Sequence, residues 1–154
     1  MKQRQGFVSN SSSSSFILGV GKIKNLEDLL KYARKNDVDI NNNYMPRILS
    51  TSHLLEKNYW DITIKDNKLV VEGGGNSEPT VETYFDPTKE EHYLVVEENN
   101  HEGDTFFWNA KLDDLDYSGV TEDFFEGHQA FLLKVLRSNL LENVEYKIGA
   151  ERNG

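Results

Sequence analysis

Cysteine is absent from this sequence of 154 residues, and proline occurs only three times. Without thiols the chain has no disulfide, no thiolate nucleophile and no Cys-based zinc site. That absence suits a reducing compartment. Basic residues are also few, with 17 Lys and Arg against 26 Asp and Glu and a formal net charge of −9. Binding a nucleic-acid backbone draws on a basic face that releases counterions, so this balance points away from direct nucleic-acid contact. Long apolar runs are missing too, and nothing approaches the roughly 20 residues of a membrane-spanning helix. The leader Met1 to Gln5 is charged like the front of a signal peptide, yet serines stand where its hydrophobic region would follow. A protein that stays in the cytoplasm is expected.

What is present is enough for a core. Hydrophobic residues make up a modest 37%, but 11% are aromatic, and each large ring removes much apolar surface from water. One folded domain is therefore expected over residues 16–154, preceded by a serine-rich tag over 1–15. No internal repeat interrupts it.

Along the chain, Gly6-Phe7-Val8-Ser9-Asn10 leads into Ser11 to Ser15 and then Phe16. Serine side chains compete for their own backbone and favour turns or extended coil, as in a linker. Phe7 and Phe16 argue against a plain linker, which has no use for aromatic bookends. Phe16 to Val20 reads as a short buried strand closed by Gly21. Asn25 then suits an N-cap, with Asp28 at the capping-box position and Leu26, Leu29, Leu30 and Ala33 on one helical face. Over residues 44–58 two readings stay open: a short helix from Pro46 through Leu55, or an extended Arg47 to Ser50.

The clearest β signal is the alternation of Trp60, Ile62 and Ile64 with Asp61, Thr63 and Lys65. Asp66-Asn67 offers a two-residue hairpin turn to a returning strand, Lys68 to Glu72, ended by Gly73 to Gly75. Thr80 to Phe85, Tyr93 to Glu97 and Thr105 to Trp108 read as further strands of an antiparallel meander. A long helix is predicted from about Glu122 to Leu141, capped by Thr121, with Phe124, Phe125, His128, Phe131, Leu132, Val135 and Leu136 as its apolar stripe. Tyr146 to Ala150 follows as an edge strand. The expected fold is α+β, a twisted antiparallel sheet of about five to seven strands with one long C-terminal helix and one short N-terminal helix packed on it.

Candidate chemistry is sparse. Gly73 to Gly75 lacks the lysine and following helix of a phosphate loop, and a hairpin connection explains it better. His92, Glu98, His101 and Asp104, with Glu97 and Glu102 beside them, gather carboxylate and imidazole suited to a divalent ion. Neither a Ca²⁺-loop spacing nor a His-Glu-x-x-His pattern accompanies them, so no metal and no cofactor is assigned. His53 among Ser50, Thr51 and Ser52 lacks a nucleophile elbow. Trp60, Tyr84, Tyr93, Phe106, Phe107 and Trp108 lack the surrounding basic residues of a base-stacking platform, and core packing accounts for them better. Adjacent Phe106, Phe107 and Trp108 must point to alternate faces, which leaves one aromatic for a partner.

The eleven residues Gly6, Phe7, Val8, Ser9, Asn10, Ser11, Ser12, Ser13, Ser14, Ser15 and Phe16 resemble the GFVSNSSSSSF N-terminal motif of small phage and bacterial proteins of uncharacterised activity. The resemblance covers that segment alone. It implies a shared handling of the N-terminus by modification, processing or recognition, and no shared reaction. The leading expectation is a phage-encoded accessory protein that binds a phage or host protein, in the host cytoplasm or on the virion. The alternatives are a small metal-assisted enzyme acting on a nucleotide or polar small molecule through the hairpin around His101, and an acidic mimic of nucleic acid.

Overall fold

Ten residues of strand β1, Ser14–Ile23, run through the middle of the fold. The computed structural model describes residues 14–36, 47–73, 79–99, 115–116 and 127–151. Helix α1 (Leu26–Lys35) follows, then β2 (Arg47–Ser50), α2 (Thr51–Glu56), β3 (Ile62–Lys65), β4 (Lys68–Glu72), β5 (Thr80–Tyr84), β6 (His92–Asn99), β7 (Leu115–Asp116), α3 (Gly127–Leu136) and β8 (Leu141–Glu151). The α+β class is as expected. The single sheet is not: five strands form one sheet in the order β2-β6-β1-β8-β7, and β3-β4-β5 form another.

The reason lies in two strands with no polar face. Phe16, Ile17, Leu18 and Val20 of β1 are buried, as are Tyr93, Leu94, Val95 and Val96 of β6. Side chains alternate across a strand, so such runs need cover on both sides. Ile17, Ile23, Leu94 and Val96 pack with Leu29 and Ala33 of α1 and with Leu132, Val135 and Leu136 of α3. Phe16, Leu18, Val20, Tyr93 and Val95 pack instead with Leu69, Val71 and Val81 of the smaller sheet and with Phe85 just after it. The result is three layers: helices, the five-stranded sheet, and the three-stranded sheet. β6 therefore leaves the meander after β5 and pairs with β1 and β2.

Local signals place several elements as expected. Asn25 caps α1 by accepting from the Asp28 amide at 3.1 Å. Asp66 and Asn67 turn the β3–β4 hairpin with φ of 54° and 61°. Both readings of residues 47–56 hold in part, since extended Arg47–Ser50 runs directly into the short helix α2, capped by Ser50.

The C-terminal region differs. The long helix to Leu141 is replaced by a ten-residue α3 that stops at Leu136. The expected stretch 121–126 and the Thr105 to Trp108 strand lie outside the described residues. Ser138 closes α3, its hydroxyl donating to Val135 O at 2.7 Å and accepting from the Leu140 amide at 3.1 Å. Leu141 then begins β8, which is not a short edge strand but runs between β1 and β7. A register shift opposite Val20 and Lys22, with Asn143 at φ 55°, marks a bulge in β8. The bulge turns backbone toward the smaller sheet, where Asn143 O accepts from Thr83 Oγ1 at 2.6 Å.

Candidate functional site

Two places in the structure bear on function: the entry of the serine-rich segment into β1, and a buried ionic cluster between the sheets.

At the first, Ser14 and Ser15 already belong to β1, opposite Glu151 and Ala150 of β8. Phe16 is fully buried and lies opposite Gly149. Strand β1 is described from Ser14 onward. Gly6, Phe7, Val8, Ser9, Asn10, Ser11, Ser12 and Ser13 lie outside the described residues.

At the second, three elements each contribute one charged side chain. Arg47 opens β2, Glu97 lies late in β6, and Asp61 directly precedes β3. Arg47 Nη2 donates to Asp61 Oδ2 at 2.6 Å and to Glu97 Oε2 at 2.9 Å. The guanidinium also stands 5.9 Å from the centre of the Tyr59 ring, within cation–π range. The side chains of Asp61 and Glu97 are only 3% and 10% exposed. Burial pushes the Asp61 carboxyl up, but hydrogen bonds to Glu97 and Arg47 outweigh it and hold the group below its usual range.

Asp61 and Arg47 were not singled out by the sequence. Asp61 sits among alternating residues and reads as solvent-facing, with Trp60 inward. The structure reverses both: Asp61 is buried and Trp60 is 66% exposed. Strand β3 starts only at Ile62, after a turn in which the Ile62 amide donates to Tyr59 O at 3.3 Å, so the alternation does not extend back to them. The one sequence signal was Glu97 itself, a carboxylate directly after the apolar run Tyr93 to Val96.

The other candidates separate. His92 and Glu98 stand at opposite ends of β6, opposite Ile23 and Ile17 of β1. Six residues of strand set their backbones about 20 Å apart, too far for one ion. His101 and Asp104 lie outside the described residues, as do Phe106, Phe107 and Trp108. Among the described residues, no three His, Asp or Glu side chains form a group able to hold a metal ion. Ser50 Oγ accepts from the His53 amide at 3.2 Å as a helix cap, and Ser52 Oγ donates to Glu90 at 2.7 Å. Neither hydroxyl is paired with an imidazole. Tyr84 is exposed and Tyr93 buried, so the aromatics do not share one face.

Several exposed or part-exposed carboxylates are matched with cations. Lys22 bonds Glu91 at 3.0 Å and Glu142 at 3.3 Å, and those contacts raise its pKa, the Glu91 hydrogen bond most. Lys68 meets Glu82 at 2.9 Å. Among the described residues no helix is long and apolar enough to cross a membrane. No family model, no curated protein and no solved structure matches this chain.

Proposed function

We propose that this is a phage-encoded accessory protein that works by binding a phage or host protein, with the serine-rich N-terminal segment as the part recognised, processed or modified. The supporting observation is continuity. The motif's last residues, Ser14 to Phe16, are the opening residues of strand β1, which is paired on both sides from Phe16 onward. A group added to the neighbouring serines, or a partner gripping Phe7, would act on sequence that leads into that strand. Phosphate would bring about −1.5 to −2 charges per serine beside the basic leader. An extended segment is also suited to pairing with a partner's sheet edge.

Capture from the host tests this. Full-length chain carrying an affinity handle at its C-terminus is expected to recover a specific partner. A variant with Phe7→Ala and Ser9, Ser11, Ser12 and Ser13 changed to Ala is expected to lose it. Equal recovery by both chains would count against the segment, and no specific partner against the binding role. Intact mass of the chain from its native host separates the routes: added mass indicates modification, and a missing N-terminus indicates processing.

A further inference from the structure

Among the described residues, strand β3 is an outer strand of the smaller sheet and pairs with β4 alone. Successive residues of such a strand send their backbone groups to opposite edges. Asp61 O accepts from the Glu72 amide at 2.9 Å, so Asp61, Thr63 and Lys65 face β4. The backbone of Ile62 and Ile64 therefore faces outward. The Ile62 amide is used locally, donating to Tyr59 O at 3.3 Å. Ile62 O and both backbone groups of Ile64 are left without a protein partner among the described residues. The opposite edge is closed. There the outward amide of Glu82 in β5 donates to Glu145 Oε1 at 2.7 Å, and Thr83 Oγ1 donates to Asn143 O. The two faces of β3 also differ: Ile62 and Ile64 are half-buried against the core, whereas Thr63 and Lys65 are exposed. Lys65 lies opposite Lys68, a pairing of like charges. Lys68 is bonded to Glu82 at 2.9 Å and also feels Asp66 in the turn. Among the described residues Lys65 has no carboxylate within ion-pair distance.

We propose that this edge of β3 is a docking site for an extended segment of a partner protein, added antiparallel as a fourth strand. The segment carries an acidic residue opposite Lys65 and apolar residues opposite Ile64 and Ile62. The outward groups of Ile64 and Ile62 stand at the two-residue spacing of a ladder, so what they recognise is an extended backbone. The partner residue opposite Ile64 exchanges two hydrogen bonds with it, and the one opposite Ile62 donates to Ile62 O. Apolar side chains at those positions cover the half-buried isoleucines, and the carboxylate supplies Lys65 with the charge that Lys68 denies it. The required order in the partner is acid, apolar, any residue, apolar. Asp61 to Ile64 of a second copy has this order, but Asp61 is buried and bonded to Arg47 at 2.6 Å, so its carboxylate is already committed. Two chains of net charge −9 also repel. This surface is separate from the serine-rich segment and stands whether or not that segment is read.

The test is a ¹⁵N NMR titration of the full-length chain with an end-blocked peptide containing Glu-Val-Thr-Val. Shifts of the Ile62 to Lys65 amides are expected, with slowed exchange at Ile64. Changing the peptide's glutamate to lysine is expected to weaken binding about fivefold, and Lys65→Glu in the protein to reverse that preference. N-methylation of the first valine removes the amide that donates to Ile64 O and is expected to abolish binding. N-methylation of the threonine, whose amide points away from β3, is expected to be tolerated. No shift along β3 at millimolar peptide overturns the inference. Equal binding of the glutamate and lysine peptides overturns the acidic partner, and β3 shifts that follow protein concentration without peptide overturn it in favour of a second copy.

Discussion

Phe16 lies across the β1–β8 ladder from Gly149, where a Cβ would come within 2.5 Å of Phe16 Cε2. Only glycine leaves room for the ring, which shields the otherwise bare backbone. Gly149→Ala is therefore expected to displace the ring and cost about 1–3 kcal/mol, and Phe16→Ala about 3–5 kcal/mol, both read by urea unfolding. Arg47 is the second sensitive residue. Its removal leaves two carboxylates facing each other in the interior, and Arg47→Ala is expected to cost about 3 kcal/mol at neutral pH. Asp61 sets the acid limb. Its pKa is held below the usual value, so its contribution is present above pH about 3.9 and is lost as pH falls through the lowered value. Acid titration of wild type against Asp61→Asn is expected to show the two stabilities converging below that pH. Had Asp61 been a solvent-facing strand residue, as alternation with Ile62 suggests, the substitution would have little effect at any pH.

Among the elements, those with local signals are legible in the sequence. Helix α1 was marked by Asn25 and by apolar spacing, and Asn25→Ala is expected to cost about 1 kcal/mol by thermal or urea unfolding. The β3–β4 hairpin was marked by Asp66-Asn67, whose side chains tolerate positive φ. The boundary between α3 and β8 was not legible, because Leu136, Leu140 and Leu141 continue the helical stripe in sequence. The stop is made by the Ser138 hydroxyl, which binds one orphan carbonyl and one amide and releases the chain into β8. The bulge at Asn143 also had no periodic signature. It ties β8 to β5 through Thr83, and Thr83→Val, which keeps the shape and removes the donor, is expected to cost about 1–2 kcal/mol. Hydrogen exchange in the smaller sheet is expected to rise more than in α1.

At the scale of the whole molecule, the α+β class followed from element types, but the division into two sheets did not. Pairing β1 with β6 and β8 joins residues far apart in sequence, and no local pattern encodes that choice. The clue was present in Phe16 to Val20 and Tyr93 to Val96, apolar runs that call for cover on both faces. Once two central strands are buried on both sides, three layers follow, and the serine-rich motif ends inside the middle one. Helices cover one face of that strand and the smaller sheet the other.

Native-state hydrogen exchange along β1 tests that placement most directly. The amides from Phe16 to Val20 are expected to exchange only as fast as the whole domain unfolds, and to match those of Leu94 to Val96 in β6. Exchange of Phe16, Ile17 and Leu18 at the rate of an unstructured peptide, with β6 still protected, would contradict a motif anchored in the core.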